Sequence, residues 1–292
     1  MGRPPDFGGF SDVDATGGAP DYAGYLDSVR DVGAVAEWKE RSFALLELHP
    51  GAMVLDVGCG TGDDVRALAA RVAPGGRAIG VDASAAMVAE ARRRGEGAGV
   101  EFRVSDAVRL ERPDASVDAA RCERTLQHLD RPAGAVAELA RVVRSGGRVV
   151  VAEPDWETLV VDPGDAATGR EVARAAAGRV RSGRVGRRLR GMLVDAGLAE
   201  VEVTARVLIV LGLAQAHMLF DIDGALDEAV AAGRVTSAAA SAWREVGARA
   251  DGRGRHLAAM TAFMAWGRVA DGGRGPTRRS TLAPHGATGQ QG

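Results

Sequence analysis

Residues 54–64 of this 292-residue chain read Val54-Leu55-Asp56-Val57-Gly58-Cys59-Gly60-Thr61-Gly62-Asp63-Asp64. A short apolar run enters a turn packed with glycine, and an amphipathic helical pattern leaves it. Glycine allows a sharp turn and lets a ligand lie directly against the backbone. The segment therefore predicts a ligand site at the carboxyl edge of a parallel sheet.

The composition is that of a globular protein, with 46% hydrophobic residues and a formal net charge of −2. No apolar run reaches the roughly 18 residues that a membrane span needs, and no signal peptide opens the chain. We therefore expect a cytoplasmic protein. Two cysteines are too few for a disulfide framework, and the near-neutral charge argues against nucleic-acid binding by the chain as a whole.

Strand-like runs alternate with helical periods through most of the chain, which is typical of a doubly wound sheet. The predicted strands are 52–57, 77–82, 100–105, 116–122, 148–153, 200–211 and 259–269. The predicted helices are 22–31, 34–48, 63–73, 84–94, a short helix before residue 116, 132–143, a helical stretch over 165–196, and two or three helices within 214–256. One domain over 21–270 follows, with 21–48 and 214–256 as a cap. Residues 1–20 and 271–292 are expected to be disordered.

The spacing of the glycines distinguishes between two possible classes of ligand. The dinucleotide fingerprint places its third glycine three residues after the second, whereas Gly58, Gly60 and Gly62 are each two apart. Asp63 stands where that third glycine would be, and Asp64 follows it. Two carboxylates at a helix start would repel a pyrophosphate, and they favour a cationic ligand such as S-adenosylmethionine (SAM).

Acidic residues close the next two predicted strands. Asp82 follows Gly62 by 20 residues, at the place where nucleotide-binding sheets hold ribose hydroxyls. Asp106 ends the third strand within Ser105-Asp106-Ala107. Because parallel strands end at one edge, these carboxylates should converge on the glycine turn.

These motifs resemble, in order, those of class I SAM-dependent methyltransferases, and in particular the ubiquinone/menaquinone-methyltransferase-like group. The resemblance covers about residues 22–270. Further matching runs are Ser116-Val117-Asp118, Glu123-Arg124-Thr125-Leu126-Gln127-His128-Leu129, Arg144-Ser145-Gly146-Gly147 and Glu153-Pro154-Asp155-Trp156. Two of them, Glu123–Leu129 and Glu153–Trp156, look like actinobacterial small-molecule methyltransferases. Ser145 stands where the family usually has proline.

The resemblance implies an α/β, Rossmann-like doubly wound sheet of seven strands, the last antiparallel, with N-terminal helices and a helical insert between strands 6 and 7. It implies SAM as cofactor and no metal. Asp82 would bind the ribose hydroxyls, and Asp106 the adenine amino group. The implied cofactor-binding residues are Tyr25, Asp56, Gly58, Cys59, Gly60, Gly62, Asp82, Ala83, Met87, Ser105, Asp106, Ala107 and Cys122.

Several of these residues have a second interpretation. Asp56 either approaches the methionine amine or satisfies nearby backbone amides, and we favour the first. Cys59 and Cys122 are better explained as small residues beside a cofactor than as a redox pair. His128 could be a general base or pack under the fourth helix, and we favour packing. Glu123 is the other candidate catalytic residue. Glu123 and Arg124 either form an internal ion pair or face the acceptor.

Two larger sets favour a structural role. The arginines between 179 and 190 are expected to form a solvated helix face rather than a phosphate site. The apolar residues of the second half are expected to form the core beneath the cap, with one or two reaching a cavity. They are Met218, Phe220, Trp243, Phe263 and Trp266.

The predicted function is SN2 methyl transfer to a small, partly apolar metabolite of specialised or quinone-like metabolism, releasing S-adenosylhomocysteine. The expected partners are the small-molecule acceptor and a second copy of the chain, with no nucleic acid and no membrane insertion. Two alternatives stay open: a SAM-binding protein without methyl transfer, cyclase-like or regulatory, and an NAD(P)-dependent oxidoreductase. The sequence leaves open whether oxygen, nitrogen or carbon is methylated.

Overall fold

A mixed sheet of seven strands runs through the computed structural model, which describes residues 4–95, 97–162 and 164–270. The strands are β1 (Met53–Val57), β2 (Arg77–Asp82), β3 (Val100–Val104), β4 (Val117–Glu123), β5 (Val143–Asp162), β6 (Leu198–Val210) and β7 (Leu257–Val269). Their order is β3-β2-β1-β4-β5-β7-β6. The first five are parallel, and β7 lies antiparallel between β5 and β6. The predicted α/β fold with an antiparallel last strand is confirmed.

Helices cover both faces of this sheet. They are α1 (Val13–Thr16), α2 (Ala19–Arg30), α3 (Gly33–Leu45), α4 (Asp63–Val72), α5 (Ala85–Gly95), α6 (Pro132–Val142), α7 (Ala166–Gly178), α8 (Leu189–Asp195), α9 (Leu213–Phe220), α10 (Ile222–Ala231) and α11 (Ser237–Asp251). Helices α3, α4 and α5 pack on one face, and α6 and α8 on the other. Each face thus has its own apolar core.

Helix α4 shows how the sequence positions the ligand turn. Val65, Leu68 and Val72 share one face and are fully buried against the sheet, as helical periodicity requires. Gly62 precedes the helix in the left-handed region, with φ of 79°. A φ of this sign is readily adopted only by glycine. The left-handed conformation of Gly62 thus allows the chain to turn from β1 into α4 at the carboxyl edge of the sheet.

Two local predictions were wrong. The expected short helix before β4 is a series of turns, because the Asp106 carboxylate accepts from the Val108 amide and Arg141 donates to the Leu110 and Arg112 carbonyls. The fifth strand, expected at 148–153, continues to Asp162. It does so because it pairs with β7 beyond residue 155, after a shift in register.

The helical stretch expected over 165–196 is interrupted. Between α7 and α8 the chain turns and forms a short 3-10 helix, Gly186–Arg188. At Gly186 a Cβ atom would lie 2.8 Å from the Pro154 carbonyl oxygen. This close approach of two backbone segments brings the chain back onto β5 before α8 begins.

Residues 4–20 differ from the predicted disorder. They form a 3-10 helix, Phe7–Ser11, then α1 and the start of α2. Phe7 and Val13 are 3% and 5% exposed, so tertiary burial outweighs a composition rich in glycine and proline. The predicted tail, 271–292, lies outside the described residues.

Asp14 fastens this N-terminal segment to the sheet domain. Its carboxylate accepts from the Ala85 and Ala86 amides, at 2.8 and 3.2 Å, and from the Ser84 hydroxyl. The side chain thereby satisfies free amides at the start of α5, where a carboxylate is favoured.

We expect Asp14→Ala to loosen residues 4–16 without unfolding the sheet. Loss of such a cap costs about 1 kcal/mol, so amide exchange there should accelerate several-fold. Hydrogen-exchange mass spectrometry measures this, with Asp12→Ala, which caps α1 alone, as the comparison. Unchanged exchange in residues 4–16 would show that Asp14 does not hold the segment.

Candidate functional site

A cleft of about 180 Å³ lies at the carboxyl edge of the sheet, under the N-terminal segment. Its floor is formed by the turn after β1 and by the ends of β2, β3 and β4. The sequence-predicted residues on its wall are Gly58, Cys59, Gly60, Asp82, Ala83, Met87, Ser105, Asp106, Ala107, Glu123 and His128. The structure thus brings these residues together around one cavity.

The glycine turn presents bare backbone to this cleft. Gly58 and Gly60 have φ angles of 75° and 51°. A Cβ atom at Gly58 would lie 1.9 Å from Thr125 Oγ1, and one at Gly60 would lie 2.9 Å from Leu26 Cδ1. A side chain at either position would clash with these neighbours and would have to adopt the left-handed backbone conformation that favours glycine, so glycine is required at both positions.

Asp82 ties the end of β2 to the glycine turn. Its two carboxylate oxygens accept from the Gly60 amide at 2.9 Å and the Ser84 amide at 3.0 Å. Burial raises the pKa of this carboxyl group, against the effect of those amides. Each oxygen keeps a second lone pair, so Asp82 can also accept from ligand hydroxyls.

The end of β3 supplies two further polar groups. Asp106 accepts from the Val108 amide at 2.9 Å. Ser105 Oγ is buried, and it has no hydrogen-bond partner among the described residues. An unpaired buried hydroxyl is costly, and on the wall of a cleft it is a group that a ligand can satisfy.

A buried guanidinium underlies the cleft. Arg121, 1% exposed, donates to Asp56 at 2.9 Å and Asp64 at 3.0 Å, and also to Glu123. Burial raises the pKa of Asp56 to about 6, although Arg121 opposes the shift. Lys39 contacts Asp64 and lies 3.9 Å from Glu123. Two cations therefore face three carboxylates.

This pairing changes the interpretation of the two acids at the start of α4. Asp63 accepts from Arg66 and Arg30, each at 2.8 Å, and Asp64 pairs with Arg121 and Lys39. Burial opposes ionisation of Asp64, yet the two cations lower its pKa to about 2. The repulsion expected against a pyrophosphate is therefore largely balanced by neighbouring cations.

Four predicted cofactor-binding residues are not on the cleft wall. Asp56 bonds to Arg121 beneath it, and Gly62 packs its backbone toward Phe102. Cys122 is fully buried in the sheet core, because alternate residues of β4 point to opposite faces. Tyr25 lies on a second cavity. The two cysteines are both buried thiols.

His128 faces the cleft and packs against Phe10, with ring centroids 5.2 Å apart. Its Nδ1 is buried and unpaired within the described part of the chain. Burial, aided by Arg124, lowers its pKa to about 3. The imidazole is therefore neutral at physiological pH and a weak base.

A second, more apolar cavity of about 90 Å³ adjoins the cleft. Helices α2, α3 and α9 and strands β4 to β7 contribute to its wall. The wall residues are Tyr25, Val29, Ala34, Val35, Trp38, Glu123, Arg124, Gln127, Ala152, Glu153, Pro154, Trp156, Arg206, Leu208, Leu219, Phe220, Met260 and Ala262. Val29, Glu123 and Arg124 line both spaces. The predicted cap segments thus enclose this cavity together with the extended ends of β5, β6 and β7.

Glu153 is the most unusual group on that wall. It is 1% exposed, and its Oε1 accepts from the Thr125 and Leu126 amides at 2.7 and 2.6 Å. Oε2 has no hydrogen-bond partner in residues 4–95, 97–162 and 164–270. Burial raises the pKa of this carboxyl group to about 8, although the two amides oppose the shift.

Glu153 should make stability fall as pH rises. A carboxyl with a raised folded-state pKa binds a proton more tightly when folded. Its stabilising effect is complete below pH 4.5 and is lost as pH rises to about 8. We expect the pH dependence of the unfolding free energy to be flatter in Glu153→Gln than in the wild type over this window. Urea unfolding from pH 5 to 9 measures it, and identical slopes would contradict the assignment.

The remaining expectations have mixed outcomes. Glu123 pairs with Arg121 rather than Arg124, and Arg124 donates to the Tyr25 hydroxyl at 3.2 Å. Of the five apolar residues singled out in the second half, Phe220 lies on the second cavity, and the others are absent from both walls. Four of the clustered arginines form ion pairs with acidic residues. They are Arg179, Arg181, Arg184 and Arg187.

The sequence did not predict some of the residues that line the cleft. Phe10, Ser11 and Val13 cover the cleft from a segment expected to be disordered. Arg121 carried a usable signal, since a charge inside an apolar strand needs a buried partner. No feature of the sequence indicated that Lys39, the sole lysine of the chain, lies at the site.

The comparisons with known proteins agree with this geometry. A family model described as a methyltransferase domain matches residues 55–151. An uncharacterised 37.1 kDa transposon protein of Streptomyces fradiae is 37% identical over 248 residues, covering 84% of this chain and 69% of that protein. The chain belongs to the class I SAM-dependent methyltransferases. Within them, it falls in the ubiquinone/menaquinone-methyltransferase-like group.

One further relative and one solved structure are similar to this methyltransferase. A demethylmenaquinone methyltransferase of Thermus thermophilus is 36% identical over 137 residues, 46% of this chain and 61% of that enzyme. The YcgJ protein of Bacillus subtilis has a TM-score of 0.56 and 20% identity, covering 80% of this chain and all of that one. The chain thus spans less than two thirds of the Thermus enzyme, and the structural match shows the shared fold.

SAM is accordingly the cofactor of this methyltransferase, and the cleft fits it. Bare backbone at Gly58 and Gly60, acceptor capacity on Asp82 and the unpaired Ser105 hydroxyl offer it hydrogen bonds and space. None of the helices in the described part of the chain combines the length and the apolar character that a membrane span needs.

Proposed function

We propose that this methyltransferase methylates a small, partly apolar acceptor held in the second cavity. The observation that carries the proposal is the wall that the two spaces share at Val29, Glu123 and Arg124. A cofactor in the cleft and an acceptor in the cavity would meet at this wall. The mainly apolar lining of the cavity supports an acceptor with an apolar body.

The cleft residues hold the cofactor in this proposal. Asp82 accepts from the ribose hydroxyls, Asp106 from the adenine amino group, and the backbone of Gly58 and Gly60 supports the ligand. When bound, SAM supplies a methyl group that its sulfonium has already activated for SN2 displacement. The chain then needs mainly to position the acceptor and exclude water.

The side chains at the shared wall have separate roles. Glu123, held by Arg121, offers carboxylate oxygens to a donor on the acceptor. Arg124, fixed by Tyr25, borders both spaces as a cation. We assign His128 a packing role against Phe10, because its lowered pKa makes it a poor proton acceptor.

The proposal includes the setting of the enzyme. We expect an acceptor from specialised or quinone-like metabolism, in the cytoplasm, and not a nucleic acid. Ion pairs engage four of the clustered arginines, Arg179, Arg181, Arg184 and Arg187, and support that exclusion. A homodimer is also proposed, with support from apolar side chains on the edge strand β6, where Val207 and Ile209 are 52% and 57% exposed.

A filled cavity tests the proposal. Ala34→Trp would place an indole in the second cavity, whereas Ala36→Trp adds it to the exposed side of the same helix. With methyl-labelled SAM and a broad acceptor panel, we expect transfer by the wild type and Ala36→Trp, and at least a tenfold loss in Ala34→Trp.

SAM affinity, measured by calorimetry, should be equal in the three proteins. Bound SAM without labelled product in the wild type would favour a non-methylating SAM-binding protein instead. Full transfer by Ala34→Trp would show that the acceptor lies elsewhere.

A further inference from the structure

We propose that Glu153, as a neutral carboxylic acid, donates a hydrogen bond from Oε2 to an oxygen of the acceptor in the second cavity. The acceptor would then carry a carbonyl or another hydrogen-bond-accepting oxygen on an apolar body. This inference rests on the proposed function, since it takes the second cavity as the acceptor site.

The two oxygens of Glu153 have different surroundings. Oε1 accepts two backbone N–H groups at the turn after β4, from Thr125 and Leu126. An oxygen engaged by two donors is a poor place for a proton. The proton of the neutral acid therefore belongs on Oε2, which is buried and unpaired among the residues described here.

Other polar side chains on the cavity wall are already engaged. Gln127 Oε1 accepts from Trp156 Nε1 at 2.6 Å, and Gln127 Nε2 donates to the Arg124 carbonyl at 3.2 Å. Arg206 pairs with Glu37 at 2.7 Å. Of the wall residues, Glu153 is thus the one with a buried side-chain polar atom, Oε2, that has no partner in the described part of the chain.

The protonation state follows from the surroundings. Apolar groups from α9, β6 and β7 line the cavity, including Phe220, Leu208 and Met260. A carboxylate is disfavoured in such a setting, consistent with a pKa near 8. The titratable and charged groups that face Glu153 or share its cavity are Tyr25, Cys122, Glu123, Arg124 and Arg206.

A neutral acid recognises a particular chemistry. It donates one hydrogen bond to a carbonyl or similar oxygen, and a ligand without that oxygen leaves the buried hydroxyl unpaired. A cationic amine would instead demand the carboxylate form. The geometry therefore distinguishes acceptors that are similar in shape.

Three small probes of similar shape test this selectivity without any methyl transfer. They are acetophenone, ethylbenzene and 1-phenylethylamine, which carry a carbonyl oxygen, no polar group and a cation. Binding to the full chain at pH 7 is followed by the methyl NMR signal of Met260 on the cavity wall, assigned with Met260→Leu. We expect acetophenone to bind about fivefold or more tightly than either other probe.

Two variants and a change of pH test whether Glu153 causes the preference for acetophenone. Glu153→Gln keeps an acceptor for the two amides and an N–H donor, so it should retain the preference, also at pH 9.5. The wild type should lose the preference at pH 9.5, where Glu153 is ionised. Glu153→Leu should lose it at every pH. If Glu153→Leu does not fold, the other two proteins suffice.

Equal binding of acetophenone and ethylbenzene by the wild type at pH 7 would overturn the inference. So would tightest binding of the amine, or loss of the preference in Glu153→Gln. A SAM titration of each sample separates the claims. SAM binding without the probe preference contradicts this inference alone, whereas no SAM binding contradicts the proposed function.

Discussion

Replacing Asp82 with alanine is expected to weaken SAM binding about 100-fold. In the proposed arrangement of the cofactor, the change removes an anionic acceptor for the ribose hydroxyls. Hydrogen bonds to a charged group contribute about 1.5–3 kcal/mol each. It also releases the Gly60 and Ser84 amides, which Asp82 holds in place. Isothermal titration calorimetry with SAM measures the effect.

The control for this change is Asp114→Ala. The Asp114 side chain is 78% exposed, pairs with Arg141 and lies outside the cleft, so SAM affinity should be unchanged. Thermal denaturation checks that both variants are folded. An affinity of folded Asp82→Ala within threefold of the wild type would contradict the ribose assignment.

Arg121→Met is expected to destabilise the fold by about 3–5 kcal/mol, the usual cost of removing one partner of a buried ion pair. Methionine fills much of the space but leaves Asp56, Asp64 and Glu123 without their shared guanidinium. Lys39 alone cannot balance three carboxylates, two of which, Asp56 and Glu123, have side chains that are only 4% exposed. The melting temperature should fall by about 10 °C.

The loss in Arg121→Met should shrink as pH falls. Protonation neutralises the stranded carboxylates, beginning with Asp56, whose pKa is already raised to about 6. Urea unfolding at pH 7 and pH 5 measures both effects. Arg93→Met is the comparison, because Arg93 is 72% exposed and pairs with Glu90 on the surface, where an ion pair contributes little to stability. Equal stability of the two variants would contradict a structural role for the buried cluster.

The sequence was most informative where short-range pattern determines structure. Strand β2 was predicted with its observed bounds, 77–82, because its apolar run is enclosed by a glycine turn and an acidic end. Gly58, Gly60, Asp82 and Asp106 reached one cleft because parallel strands end at a common edge. Local chemistry and sheet topology were sufficient for that part of the site.

Long-range contacts account for most of what the sequence missed. Phe7 and Val13 are ordered through contacts with residues far along the chain, which composition does not reveal. The length of β5 depends on pairing with β7 about 100 residues later. Tyr25 sits on the second cavity because α2 crosses between the two spaces, a position that helical periodicity does not specify.

Electrostatic partners were equally hidden. Asp63 and Asp64 suggest a strongly acidic turn, but Arg30, Lys39 and Arg121 approach them from α2, α3 and β4. The match to class I methyltransferases therefore depends on the whole constellation of motifs. The negative charge at the start of α4 is weaker evidence for a cationic ligand than the sequence alone indicates.

In the proposed enzyme, the cofactor methyl group faces the wall shared by the cleft and the second cavity. NMR with methyl-¹³C-labelled SAM bound to the protein tests this position of the methyl group. We predict a nuclear Overhauser effect between the SAM methyl group and the Val29 methyl groups, which line both spaces, and its loss in Val29→Ala. Saturated SAM binding with no such effect in the wild type would contradict the claim.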